Sequence, residues 1–335
     1  MADVKKGAPV AGASGRAGAA TAAGGAPASL ALAGVRARKS RSLWSDAWRQ
    51  FRKHKLALLG TAVLLFICLL VTLGPFVYRE NPQAINILNS RVGPSLGGEA
   101  GFHPMGYDDL GHDIFARVLS GGRKSILVGL MAVVVSMTLG TLVGALAGFF
   151  GKAVDSMLMR VTDLFIALPQ LPLLLLIIYL YRDKLRAVFG PENGLLILIV
   201  AVIGGLNWMP VARLVRASFL SLKEKEFVEA ARCIGAGTGS LIFKHILPNV
   251  LSPVIVAATL GVGAAIISES TLSFLGLGFP PDIPTWGSML QNAKDELGTA
   301  AHMAIFPGLM IFLVVLSVNY IGDGLRDALD PRSRI

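Results

Sequence analysis

The sequence predicts an all-α membrane protein with six transmembrane helices. Three observations carry this: composition, the spacing of uncharged runs, and the sidedness of Lys and Arg. Hydrophobic residues make up 53% of the 335 and charged residues 16%, with a mean hydropathy of +0.63. A soluble domain carries about 25% charge. Six stretches free of Lys, Arg, Asp and Glu approach the ~20 residues that a helix needs to cross ~30 Å of hydrocarbon. They are Leu56–Tyr78, Ser125–Phe150, Leu164–Tyr181, Asn193–Ala212, Ile246–Ser268 and Met303–Gly322. Lipid offers no hydrogen bonds, so each run has to satisfy its own backbone, and a helix does this. No alternating pattern of transmembrane strands is present.

Taken in order, the chain opens on an Ala/Gly-rich segment, 1–42, in which Asp3 is the sole acid. It has no apolar core of a secretory signal, and its composition predicts a disordered basic tail. Arg-rich, acid-poor character also resembles an organellar transit peptide. The cluster Arg49, Arg52, Lys53 and Lys55 stands just before the first run. Pro75, Pro169, Pro172, Pro210, Pro253 and Pro307 fall within runs, where they predict kinks or ends. Segments 1–55, 151–163, 213–245 and 323–335 together hold 22 of the 31 Lys and Arg, and the alternate segments hold 9. The positive-inside rule makes the first set, and both termini, cytoplasmic. The net charge of +10 fits that lipid surface and does not point to nucleic acid. Cys68 lies in an apolar run and Cys233 in a polar loop, which predicts no disulfide and no cysteine metal site.

The polar loop 221–249 reads EFVEAARCIGAGTGSLIFKHILPN from Glu226 to Asn249. Ser221 followed by Glu224 matches a capping box. Phe227, Ala230, Ala231 and Ile234 recur at helical spacing, opposite Lys225, Glu229 and Arg232. Gly235 and Gly237 suit a helix end, and Ser240 suits the cap of a second short helix before Leu247-Pro248. Two short helices around a glycine hinge fit two roles: docking a partner, or lying on lipid.

Glu229-Ala230-Ala231, Gly235 and Ile246-Leu247-Pro248 resemble the EAA loop of bacterial ABC importer permeases. That resemblance implies a coupling helix seated on an ATPase subunit, with Glu229, Ala230, Ala231, Arg232, Gly235, Leu247 and Pro248 in the coupling role. HPMGYDDLGHDIFARVLSGGRKSILVGL, from His103 to Leu130, looks like the stretch before the second span of dipeptide/oligopeptide/nickel permeases, with Tyr107 and His112 replacing the usual Thr and Arg. SESTLSFLGLGFPPDIPTWGSML, from Ser268 to Leu290, and LRDALDPR, from Leu325 to Arg332, resemble later segments of the same subfamily. The likeness covers about 43–332 and is to the C-type subunit. It implies a type I ABC importer permease fold in the bacterial inner membrane. The chain then divides into the tail 1–42, a first helix and outer loop 43–120, a permease core 121–323 and a C-terminal tail 324–335. It also implies a second, different permease, two ATP-binding ATPase subunits, an extracytoplasmic solute-binding protein, and import of di- or oligopeptides, with nickel left open.

Nothing here binds nucleotide by itself. The nearest approach to a phosphate loop is Gly151-Lys152, followed by Ala153 and preceded by Leu146 where the first Gly belongs. No cofactor is expected beyond the ATP of partner subunits. His103, Asp108, Asp109, His112 and Asp113 form a candidate metal set, but Asp108 or Asp109 also suits the cap of a short amphipathic helix carrying Ile114, Phe115, Val118 and Leu119. Of the acids at span ends, Asp163 fits pairing with Arg160, or a place on the solute path. Glu269, beside Ser268, fits a gate or vestibule wall, or a simple interfacial acid. An ion-coupled secondary transporter is disfavoured because the six runs hold no Lys, Arg, Asp or Glu. A membrane scaffold that only recruits a partner is the third reading.

Overall fold

A computed structural model describes residues 43–97 and 101–329. The tail 1–42 lies outside the described residues, as do 330–335. Helix α1 (Leu43–Phe51) precedes α2 (Lys55–Val77), whose first turn is capped by His54 accepting from the Ala57 amide at 3.1 Å. An irregular segment follows, with a small antiparallel hairpin of β1 (Ser95–Leu96) and β2 (Phe102–His103). Next comes α3 (Ile114–Phe150), 37 residues without a break. At 1.5 Å per residue it is about 55 Å long, far beyond the hydrocarbon. The short amphipathic helix expected at Ile114–Leu119 is therefore the first turns of α3. Its cap is Asp113, which accepts from Ala116 N–H at 2.7 Å, and not Asp108 or Asp109. Asp108 instead accepts from the amides of Leu110 and His112.

Where the third and fourth spans are expected, the structure has two bent helix pairs, so among the described residues four single helices are long and apolar enough to cross a membrane, or six spans if each pair is one. Helices α4 (Lys152–Ala167) and α5 (Gln170–Phe189) meet at 87°, and α6 (Pro191–Leu206) and α7 (Trp208–Leu222) at 42°. Pro169 has no amide hydrogen and stands in the first break. Gln170 Nε2 donates to Asn207 Oδ1 at 3.0 Å, so one hydrogen bond joins the two breaks. After α8 (Glu226–Cys233) and α9 (Thr238–Ser240), a wide helical turn over Leu241–Ile246 leads into α10 (Leu247–Phe274). Helix α11 (Trp286–Ala293) begins with a Thr285–Ser288 capping box, and α12 (His302–Leu329) is the last span. The C-terminal segment expected from 324 onward is helical as far as Leu329.

Small residues set the packing. Gly140, Gly144 and Gly148 lie at four-residue spacing along α3, and a Cβ on any of them would come within 2.5 Å of Val211, Ala212 or Phe219 of α7. Without a hydrophobic drive between helices in lipid, such close backbone approach is what lets two spans associate tightly. Core side chains between α3, α5, α6 and α10 include Val128, Leu174, Ile178, Leu195, Ile199 and Leu272. A second cluster, with Trp286 at its centre, joins α2, α3, α11 and α12.

Candidate functional site

Helix α8 starts where the chain leaves α7. Lys225 is its N-cap in extended conformation, and no side chain caps it. The expected Ser221–Glu224 capping box is not formed, because α7 continues to Leu222 with Phe219 fully buried beneath it. Glu226 and Glu229 in the first turn and Arg232 in the last complement the helix dipole, and Arg232 donates to Glu229 at 2.8 Å.

Val228 and Ala231 turn inward and pack with Phe219, Leu241, Ile246 and Val250. The remaining apolar positions turn outward: Phe227 is 43% exposed, Ile234 is 86% exposed, and Ala230 between them is exposed. The four residues of the expected face thus divide, with Ala231 alone buried. Gly235 adopts φ +84, the left-handed conformation that an L side chain resists. Its amide donates to Arg232 O, and Ala236 N–H donates to Ala231 O, both at 3.0 Å, which closes the helix. Ser240 caps nothing; α9 has Gly237 at its N-cap and runs on through the wide turn. Ile246 is fully buried, Leu247 half-buried, and Pro248 stands in the first turn of α10 directly after the wide turn.

Helix α7 ties α8 to the bundle. Arg213 pairs with Asp163 of α4 at 2.5 Å, and Arg216 grips Asp155 of α4 through both carboxylate oxygens. Asp163 therefore pairs with Arg213 and not with the expected Arg160. Asp155, Arg213 and Arg216 escaped the sequence reading. The i, i+3 spacing of the two arginines was legible, but their partners, 50 and 61 residues away, were not.

Glu269 and Ser268 lie near the far end of α10. Glu269 is fully buried. It accepts from Ser273 at 2.8 Å and from Ser125 of α3 at 3.3 Å, while Ser125 accepts from Trp286 N–H of α11 at 3.3 Å. Ser268 turns back to its own helix and donates to Ala264 O.

The His and Asp residues before α3 divide into two separate sets. His103 Nδ1 meets Asp113 at 2.6 Å, where Tyr78 also donates at 2.6 Å. His112 meets Asp108 at 2.8 Å, beside Arg117. Among the described residues no three of these groups converge as metal ligands. Burial and the neighbouring Asp108 carboxylate raise the Asp109 carboxyl above its ordinary range, and its Oδ1 is buried without a hydrogen-bond partner.

Residues 140–335 match the family described as binding-protein-dependent transport system inner membrane component, and residues 42–94 match the N-terminal TM domain of oligopeptide transport permease C. The dipeptide transport system permease protein DppC of Alkalihalophilus pseudofirmus is 38% identical over 88% of this chain and 91% of its own length. OppC of Bacillus subtilis, an oligopeptide transport system permease, is 38% identical over 89% and 92%. GsiD of Escherichia coli, a glutathione transport system permease, is 39% identical over 89% and 93%. In fold, the chain is similar to the inward-facing methionine ABC transporter MetNI, with a TM-score of 0.50 and 17% identity over 63% of this chain and 94% of that one. The chain therefore belongs to the binding-protein-dependent inner-membrane permeases of ABC importers.

Proposed function

We propose that this chain is one of two different permease subunits of an ATP-driven importer of di- or oligopeptides, and that separate ATPase subunits act on it through α8. The observation that carries this is the outward apolar stripe of Phe227, Ala230 and Ile234, beside the left-handed turn at Gly235. A large exposed Ile next to a small Ala suits a protein groove: Ala230 admits a partner's backbone, while Phe227 and Ile234 fill pockets on either side. Glu229 and Arg232 orient the contact from the rim.

In this reading α8 and both termini are cytoplasmic, as the Lys and Arg distribution favours. Two ATPase subunits bind the ATP, and this chain holds no nucleotide or cofactor. An extracytoplasmic binding protein delivers solute to the opposite side. Arg213 and Arg216 carry the stroke from α8 into α4 and α7, since a ligand moves a structure only through contacts that differ between states. Peptides are favoured as solute by the curated relatives.

Reconstituted vesicles holding the complete complex test the coupling role. Gly235→Val forces a β-branched residue into φ +84, and Glu229→Lys reverses a rim charge. Each is expected to abolish ATP-driven peptide uptake while membrane insertion and assembly of the two permeases persist. Normal uptake by both variants contradicts the proposal.

A further inference from the structure

The C-terminal half of α2 and the hairpin that follows it form one exposed apolar surface. Along α2, Phe66, Leu69, Leu73 and Phe76 recur at three- and four-residue spacing and are all exposed, while Ile67 and Val71 are buried against the bundle. The stripe runs on through Val77, also exposed, to Tyr78, whose amide closes the helix on Gly74 O. Tyr78 in turn carries the hairpin. Its ring meets Phe102 edge-on with 6.5 Å between centroids, and its Oη stands 3.2 Å from Phe102 O and 2.6 Å from Asp113. Within the hairpin Leu96 pairs with Phe102, and Ser95 with His103. Paired residues share a face and successive residues alternate. One face therefore holds Leu96 and Phe102, 79% and 56% exposed, and the other holds Ser95 and His103, with His103 tied to Asp113 at the head of α3.

We propose that the Leu96–Phe102 face is a membrane anchor, which inserts into the interfacial layer of the leaflet at the C-terminal end of α2 and is covered there by phospholipid. The inference needs only that α2 spans the membrane. Depth is the first argument. Phe102 rests on the residue that directly follows the span, so the pair lies level with the headgroups, continuous with the α2 stripe, and a Tyr at that level suits the interface. Side-chain size is the second. Spans that pack closely on other spans do so through small residues. Gly60 and Gly74 of α2 serve this way against Ser317 of α12 and Leu119 of α3, whereas the outward stripe offers Phe and Leu, a surface for acyl chains and not for another subunit's backbone. The hairpin's own backbone is the third. Each strand has two residues, and open sheet edges are not tolerated in hydrocarbon, so the hairpin can dip its two apolar side chains while its edges stay solvated. Arg123 of α3 completes the layer. Its guanidinium lies 5.5 Å from the centroid of the Phe76 ring and donates to the carbonyls of Val71 and Thr72, which places a cation where phospholipid phosphates lie. Anchored in this way, the hairpin holds His103, and through it Asp113 at the start of α3, at a fixed height on the bilayer.

The test uses the chain in its assembled complex, reconstituted in phospholipid vesicles, with Cys68 and Cys233 and any partner cysteines replaced by Ser. A nitroxide spin label is attached to Leu96→Cys or, in a second variant, to Phe102→Cys. Its collisions with oxygen, which concentrates in lipid, and with a water-soluble paramagnetic chelate are read by electron paramagnetic resonance. Leu69→Cys, on the α2 stripe, is the lipid reference, and Asp295→Cys, exposed in the segment after α11, is the aqueous reference. The proposal predicts that labels at 96 and 102 collide with oxygen as the label at 69 does and exclude the chelate. Two results overturn it: collision with the chelate as at 295, which means the face stands in water; and exclusion of both reagents, which means that another protein chain covers it.

Discussion

At the scale of single residues, Glu269 is the clearest case of a side chain whose chemistry follows from its neighbours. A buried carboxylate in an apolar setting is costly unless hydrogen bonds replace its water. Here Ser125, Ser270 and Ser273 supply hydroxyls from two helices, and Ser125 in turn holds the start of α11. Glu269 thus joins the far part of α10 to α3 and, through Ser125, to the start of α11. Glu269→Ala strands these hydroxyls and is expected to destabilise the protein by about 1–3 kcal/mol, with Glu269→Gln milder because it keeps an acceptor. Thermal unfolding in detergent measures both. Asp109 offers the opposite case. Its folded carboxyl titrates above the ordinary range because burial and Asp108 disfavour the charge. Its contribution to stability is therefore full below the unfolded pKa and is lost as pH rises through the higher folded value. Asp109→Asn is expected to remove that falling component from a stability–pH curve. Neither role was legible in the sequence. Asp108, Asp109 and Asp113 all precede α3, and which of them caps it depends on the path of the loop.

Elements show where sequence reasoning reaches and where it stops. The apolar runs were legible because lipid forces long uncharged stretches: among the described residues four of them follow single helices long and apolar enough to cross a membrane, and the other two follow bent helix pairs that make six spans if each pair is counted as one. The bends were legible only in part. Pro169 marks the first and Pro210 the second, since its missing amide leaves Leu206 O without an i+4 donor at the Asn207 break, but nothing local fixes the 87° and 42° angles. The glycine ridge of α3 is visible as a spacing, but its partner is fixed by tertiary packing. Gly144→Leu is expected to push α7 from α3 at a cost of about 1–3 kcal/mol or more, read as a lower melting temperature. For the two ion pairs between α4 and α7, exposure decides the ranking. Arg213 and Asp163 are both more than half exposed, so Arg213→Ala is expected to cost about 0–1 kcal/mol. Asp155 is 17% exposed, so Arg216→Ala strands a largely buried carboxylate and is expected to cost about 1–3 kcal/mol. Double-mutant cycles on unfolding separate the two.

Across the whole molecule, the proposed division of labour between this chain and separate ATPase subunits rests on two features. The chain's sequence has no phosphate loop of its own, and its apolar stripe on α8 has no partner within the described residues. One block, α4 with the near part of α3 and α7, is clamped by glycine contacts and arginine pairs and leads directly into α8. The other, α5 with α6, meets it at two breaks joined by Gln170 and Asn207. Under the proposed coupling role, a push on α8 would reach the bundle through these contacts and bend it at the two breaks. The most direct measurement uses the native thiol of Cys233, exposed at the end of α8. A short bifunctional thiol reagent is applied to the assembled complex, with Cys233→Ser as control. The account predicts an adduct joining this chain to an ATP-hydrolysing subunit, absent from the control and changed in yield when ATP binds. Contradiction would come from a Cys233 that reacts with impermeant reagents outside intact cells, or that never joins a nucleotide-hydrolysing chain.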